Sequence, residues 1–476
     1  MTDQPPRNSD TPDGSEVEPS ARDDAASAAE TPAADAGAPA DTAADGDTAR
    51  DEINGKAAAS GGARATEKVA PNGGVGRRLV DALTTANSGT VTVLALFLAM
   101  LVGAVIIIFS DERVTAAMQY FFSRPYDTFY WAWEAVAGAY SALFKGSIVD
   151  FETVTAAMNG EVPWYRAFYP ISETLTNAAP LIFTGLAVTL AFRAGLINIG
   201  GEGQAILGAC AAGLAGFLLH LPPVIHLLVA LLAGALCGAL YGTVPGWLKA
   251  KTGAHEVITT IMLNYVALNF LQWLVLQEGV QRPGRQDAIS KLVDANAMLP
   301  RLAGDVLRVN FGIVLAILAA VGVAWLLQRS TTGFEMRAVG SNPDAARTAG
   351  MNVSRTYILA MTLAGGLAGL GGASMLLGPA AALTPSVVSG IGFDGITVAL
   401  LGRGRPLGTV LAGLLFGALK AGAVRMQGEA DIPVDMVTIL QALIVLFIAA
   451  PALVKAVFRL REQRTAGFGP TLAKGW

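Results

Sequence analysis

TGLAVTLAFRAGLINIGGEGQAILGA, residues 184–209, joins two apolar runs through a glycine-rich break. Its centre, GLINIGGEGQ at 195–204, holds four glycines in ten residues and sets Asn198, Glu202 and Gln204 at the interruption. Backbone amides and carbonyls cannot stay unpaired against lipid. A break of this kind is therefore tolerated only where protein encloses it or where it lines a wet cavity. If the flanking runs cross a bilayer, the stretch is an interrupted membrane helix, and the rest of the chain decides that condition.

The 476 residues are 53% hydrophobic and only 15% charged, with a mean hydropathy of +0.49. A soluble domain carries about 25% charged residues. Apolar runs long enough to cross about 30 Å of hydrocarbon as helix recur from residue 91 to residue 457. The fold class is all-α, a polytopic membrane protein. Apolar length and breakers give about ten crossings, near 91–110, 170–192, 199–219, 225–248, 256–277, 310–328, 357–378, 389–402, 406–424 and 435–454. The eighth is short and either spans or re-enters.

Basic residues test the count. Arg77 and Arg78 precede the first span and place the N-terminus in the cytoplasm. Parity then puts Arg193, Lys249 with Lys251, Arg329 through Arg355, Arg403 with Arg405, and Lys455 through Arg464 on the same side. Both ends are expected inside. Residues 1–70 hold fifteen acidic and six basic residues, no aromatic, no Leu and one Ile, so they cannot bury enough apolar surface to order. The expected organisation is a disordered acidic cytoplasmic tail at 1–78, a membrane domain at 79–460 and a short cytoplasmic tail at 461–476. The segment FYWAWEAVAGAYSALFKG, 129–146, is either an amphipathic interfacial helix or an ordinary packed one.

The break has an echo. IGGEGQAI at 199–206 and IGFDGITV at 391–398 fit one pattern, Ile-Gly-x-acid-Gly-x-Ala/Thr-Ile/Val. In transporters built from repeats, interrupted segments at matching positions point to the substrate pathway. Glu202 and Asp394 become the pseudo-equivalent acids of that pathway. The plainer alternative has Glu202 complementing the dipole of the helix it begins.

Catalytic chemistry finds no support. Three histidines, His220, His226 and His255, lack metal-motif spacing, and Cys210 and Cys237 lie in apolar runs. No catalytic constellation and no phosphate-binding G-x-x-x-x-G-K-[S/T] occurs. GLAGLGGA at 366–373 reads as close helix packing, and GRGRP at 402–406 as a positive anchor. Between spans, SNPDAARTAG at 341–350 has the signs of a short helix: Asn342 or Ser341 as cap, Pro343 in the first turn, Asp344 near its positive end, Gly350 as stop. Such a helix either docks a soluble partner or is a connector.

TGLAVTLAFRAGLINIGGEGQAILGA, HEVITTIMLNYVAL (255–268), TTGFEMRAVGSNPDAARTAGMN (331–352) and GFDGITVALLGRGRPLG (392–408) together resemble permease subunits of bacterial ABC importers in the ribose/simple-sugar and branched-chain amino acid superfamily. The nucleoside permeases, with a similar NIGGEGQ run, resemble it most, over about residues 90–460. The acidic tail and His255, where an Asn is expected, are departures. The resemblance implies that 333–352 is a coupling element seated on an ATP-hydrolysing subunit, with Glu335, Arg337, Gly340, Asp344, Ala346 and Gly350 in that role. It implies an ABC ATPase that binds ATP and Mg, a second permease (self or sister chain), a substrate-binding lipoprotein, and a bacterial plasma membrane location. No cofactor, metal or nucleic acid is expected on this chain. For a nucleoside, neutral amides suit the path better than deep charges, and Asn177, Asn198, Gln204, Asn264 and Asn269 fit. An ion-coupled secondary transporter of a small polar solute is the alternative; it would be expected to carry deeper coupling acids.

Overall fold

The computed structural model describes residues 88–459; the expected tails at 1–78 and 461–476, with Arg77 and Arg78, lie outside the described residues. Among the described residues there are sixteen α-helices, and extended structure is confined to isolated bridges such as Gln281↔Ser290. Helix α1 (Ser88–Ser110) is followed by short α2 (Glu112–Met118), α3 (Pro125–Ser147) and short α4 (Phe151–Met158). Then come α5 (Tyr169–Arg193), α6 (Gly201–Leu218), α7 (Pro223–Thr252) and α8 (Glu256–Leu274). After a mostly irregular stretch with one 3₁₀ turn (Ala295–Ala297) follow α9 (Gly312–Arg329), α10 (Thr331–Ser341), α11 (Pro343–Thr348) and α12 (Val353–Met375). The chain closes with α13 (Ile391–Leu401), α14 (Pro406–Ala430), α15 (Asp435–Ala449) and α16 (Pro451–Val457).

Each of the ten expected crossings is found as a helix, with bounds shifted by a few residues. Seven are long and apolar enough to cross a membrane, and α15 with α16 makes an eighth if that pair, bent by 89°, is one span. The bend has a local cause: Ala450 precedes Pro451, which pushes it out of the helical region. The two helices that fall short, α6 and α13, are the two that begin with the acidic motif. Helix α6 spends its first turn on Glu202 and Gln204, and α13 has 11 residues, about 16 Å of rise, too little for a crossing.

The tightest packing lies between α7 and α12. Gly234, Gly238, Gly242 and Gly246 recur every fourth residue on α7, opposite Met361, Gly365 and Gly369 of α12. A Cβ at Gly242 would stand 2.9 Å from the Gly365 Cα, and one at Gly369 would stand 3.0 Å from the Gly238 Cα, so the seam admits only glycine. That is the packing role expected of GLAGLGGA. Helix α3 packs along one face and leaves the other exposed. Ala135, Ala139, Ala142 and Gly146 are buried on one face, Gly146 against Arg425 of α14, while Tyr140 Oη donates to the Met100 carbonyl of α1 at 2.5 Å. The opposite face shows Phe129 and Trp133.

Candidate functional site

The break between α5 and α6 is held by amides that bond to it and to each other. Gly195 sits at φ +74°, a left-handed turn that ends α5. Asn198 and Gln204 are fully buried and form a reciprocal pair: Asn198 Nδ2 donates to Gln204 Oε1 at 2.9 Å, and Gln204 Nε2 returns to Asn198 Oδ1 at 3.2 Å. The same Asn198 oxygen accepts the Gly200 amide at 3.0 Å. From α8, Asn264 reaches in with both ends, donating to the Ile199 carbonyl at 2.9 Å and accepting the Gly203 amide at 2.8 Å. The contacts to the Gly200 amide, the Ile199 carbonyl and the Gly203 amide occupy backbone groups that the break would otherwise leave orphaned.

Glu202 joins this break to the other one. Its Oε1 accepts the amide of Gly390 and its Oε2 the amide of Gly392, each at 2.7 Å. Gly390, at φ +80°, is the N-cap position of α13, so the carboxylate serves as that helix's missing cap. The plainer sequence reading has this carboxylate complement the start of its own α6; both its oxygens instead bond the start of α13, Gly392 being 190 residues away. Thr184 of α5 adds a third tie by donating to the Ile391 carbonyl at 2.9 Å. The glycines of IGFDG are explained by this closeness. A Cβ on Gly392 would collide with the Glu202 backbone, and one on Gly395 would stand 2.7 Å from Thr184.

Asp394 has different company. Its carboxylate pairs with Lys420 of α14 at 2.6 Å, with the two side chains about a quarter to a third exposed. The sequence reading missed Lys420. The available signal was a single lysine inside the apolar run LAGLLFGALKAGAV (411–424), and intramembrane cations are rare and usually functional. Asn177 is half-buried on α5 and donates to the Glu173 carbonyl at 2.9 Å; Asn269 is exposed on α8 and donates to the Tyr265 carbonyl at 2.7 Å. The expected pathway residues thus divide. Asn198, Gln204, Asn264 and Glu202 form one buried frame, while Asn177, Asn269 and Asp394 stand apart from it with accessible surface.

The loop expected to dock is two helices. Ser330 Oγ caps α10 by accepting the Gly333 amide at 2.9 Å, and Asn342 Oδ1 caps α11 by accepting the amides of Asp344 and Ala345 at 3.0 and 3.1 Å. Gly350, at φ +82°, ends the pair. Phe334, Arg337, Asp344 and Gly350 are exposed, Glu335 is half-exposed, and Ala346 is buried beneath α11 near Val339 and Val353. Gly340 faces inward onto the break: a Cβ there would lie 2.8 Å from the Gly195 nitrogen, and a Cβ on Gly195 would lie 2.9 Å from the Gly340 Cα. The two glycines let α10 rest directly on the start of the interruption.

A family model described as branched-chain amino acid transport system / permease component matches residues 171–449. The chain is 37% identical over 333 residues to the guanosine ABC transporter permease protein NupP of Bacillus subtilis, covering 70% of this chain and 91% of that protein. It is 39% identical over 298 residues to the nucleoside ABC transporter permease protein NupB of Lactococcus lactis subsp. cremoris, covering 60% and 81%. With the glucose ABC transporter permease protein TsgB13 of Haloferax volcanii it shares 36% over 289 residues, covering 59% and 76%. No solved structure matches.

Proposed function

We propose, for a chain that belongs to the branched-chain amino acid transport system / permease component family, the membrane path of an ABC importer for nucleosides or a related sugar. ATP is hydrolysed on a separate subunit, and this chain is not itself an enzyme. Relatives that carry guanosine, nucleosides and glucose support the substrate class. The proposed complex adds an ABC ATPase holding ATP and Mg, a second permease and a substrate-binding lipoprotein. The exposed edge of α10 and α11, with Glu335, Arg337 and Asp344, is the proposed seat for the ATPase, on a cytoplasmic face shared by both chain ends. In this reading Asn198, Gln204, Asn264 and Glu202 frame the path, and Asn177, Asn269 and Asp394 border it.

The observation that carries ATP-driven over ion-coupled transport is the engagement of Glu202. A coupling acid must load and release a proton or cation in each cycle. Both Glu202 oxygens already accept backbone amides, that of Gly392 buried and that of Gly390 part-buried, and each such charge-assisted bond is worth about 1.5–3 kcal/mol. Loading would break the cap of α13 every time. The test is uptake of labelled guanosine by proteoliposomes carrying the permeases with their ATPase and receptor. Accumulation that needs ATP and is competed by nucleosides supports the proposal; accumulation by the permease alone, against a gradient and without ATPase, overturns it.

A further inference from the structure

Lys420 lies on α14 fifteen residues into a 25-residue span, and its partner Asp394 opens a helix too short to cross. Counting by face, Lys420 follows Thr409, Gly413 and Phe416, all buried, so the side chain belongs to the inward stripe of α14. One turn further on, Ala423 is buried and Val424 is 69% exposed, so Lys420 sits where the buried face of α14 borders an exposed one. The pair itself keeps 30% and 25% of its side-chain surface accessible. Charges left partly bare at mid-span face water or a polar cavity, because lipid would make that exposure cost several kcal/mol. The adjoining loop carries Thr384, Ser386 and Ser389, with accessible surface on each, and Phe393 on the first turn of α13 is 48% exposed.

We infer that the Asp394–Lys420 pair forms a solute-reading station on the path, selecting neutral molecules that offer hydroxyl donors and ring or carbonyl acceptors side by side. The carboxylate accepts from a sugar diol while the ammonium donates to a heterocycle's nitrogen or oxygen. Because the two charges neutralise one another, the station holds no fixed counter-ion that a neutral solute would have to displace. Phe393, the residue before Asp394 and 48% exposed, adds an apolar ring at the same helix end. The inference rests on the importer reading and names the polar contact within it.

Two measurements test it. The double substitution Asp394→Asn with Lys420→Gln removes both charges without leaving one unpaired. ATP-driven guanosine uptake should then show KM raised at least tenfold, with the fall in maximal rate smaller than that. A pair that only glues α13 to α14 would leave KM at the parental value, and that result overturns the inference. Separately, Thr397→Cys places a thiol one turn from Asp394, with Phe393→Cys as a second reporter. A membrane-impermeant maleimide should label either at least fivefold faster than the parent, whose Cys210 is buried and Cys237 half-buried. Millimolar guanosine should slow that labelling at least threefold. Absence of labelling from both faces, or labelling unaffected by guanosine in a complex that transports it, refutes the station. If the parent complex takes up no nucleoside, the importer reading fails instead, while labelling still reports whether the pair faces water.

Discussion

Residues 199–206 and 391–398 share one motif, and their acids differ by a single methylene in length and by everything in environment. Glu202 is 8% exposed and spends both oxygens on the amides of the opposite motif; Asp394 turns away from that contact to meet Lys420 and keeps a quarter of its surface accessible. The longer acid crosses between helices and closes a frame, and the shorter one borders open space. A repeated pattern therefore marks where two breaks meet without assigning the two acids one role. The glycines between them are what let the backbones approach closely enough for the longer acid to reach.

Removing the clamp should have the largest effect. Glu202→Ala leaves the buried Gly392 amide and the part-buried Gly390 amide without their acceptor, a cost of up to about 2–6 kcal/mol. Glu202→Gln keeps one acceptor but sets an NH2 against the second amide, so about half that loss is expected, more than a helix-dipole term alone would give. Thermal unfolding of the purified permease should rank parent, Gln, Ala in falling midpoint. Asp394→Asn combined with Lys420→Gln, which leaves the clamp intact and no charge unpaired, should lie closer to the parent than Glu202→Gln; the reverse order would undo the contrast.

Gly392→Ala attacks the same frame from the other side. Its Cβ meets Glu202 backbone atoms that cannot rotate away, and overpacking of this kind costs about 1–3 kcal/mol or more. The yield of folded protein extracted from membranes should fall well below that of Gly428→Ala, whose Cβ meets nothing within 4 Å. Equal yields would mean that the two breaks are not in contact.

Gly340→Ala should be milder for folding and marked for coupling. The added methyl wedges α10 away from Gly195, so reconstituted complex should keep ATP hydrolysis while guanosine carried per ATP falls severalfold. Parental stoichiometry would show that the glycine contact does not link loop to break. The smallest effect concerns Asp150, on the segment joining α3 to α4. Burial opposes its ionisation, yet hydrogen bonds from Thr153 and Arg425 outweigh that and hold its carboxyl below the ordinary range. A depressed pKa gives stability that is present above the unfolded value, near 3.8, and is lost as pH falls through the folded one. Asp150→Asn should thus weaken the parent at neutral pH slightly and make no difference near pH 2, as read by the unfolding midpoint at each pH.

Much of this fold was legible because apolar length is a direct physical requirement of the bilayer; the ten apolar runs became ten helices within a few residues. The break at Gly195 and its echo at Gly392 were legible through glycine and a misplaced acid. What the sequence could not reveal was pairing across 190 residues. Nothing local says that Glu202 caps α13, or that Asn198 and Gln204 bond to one another. Lys420 was visible and went unread, since attention fell on interruptions while it sits in an unbroken helix. The inward face of Gly340 was hidden for a similar reason, because a short capped helix in a loop suggests an outer partner more readily than an inner one.

In the proposed function Glu202 is a structural clamp of an ATP-driven permease and carries no coupling ion. Guanosine uptake by Glu202→Gln in proteoliposomes with the ATPase and receptor, measured across pH and with either ATP or an imposed proton gradient, tests it most directly. Uptake should fall in proportion to folded protein, keep its pH profile, depend on ATP, and not respond to the proton gradient in parent or variant. Folded Glu202→Gln protein with no uptake, beside a parent driven by the proton gradient alone, would contradict it.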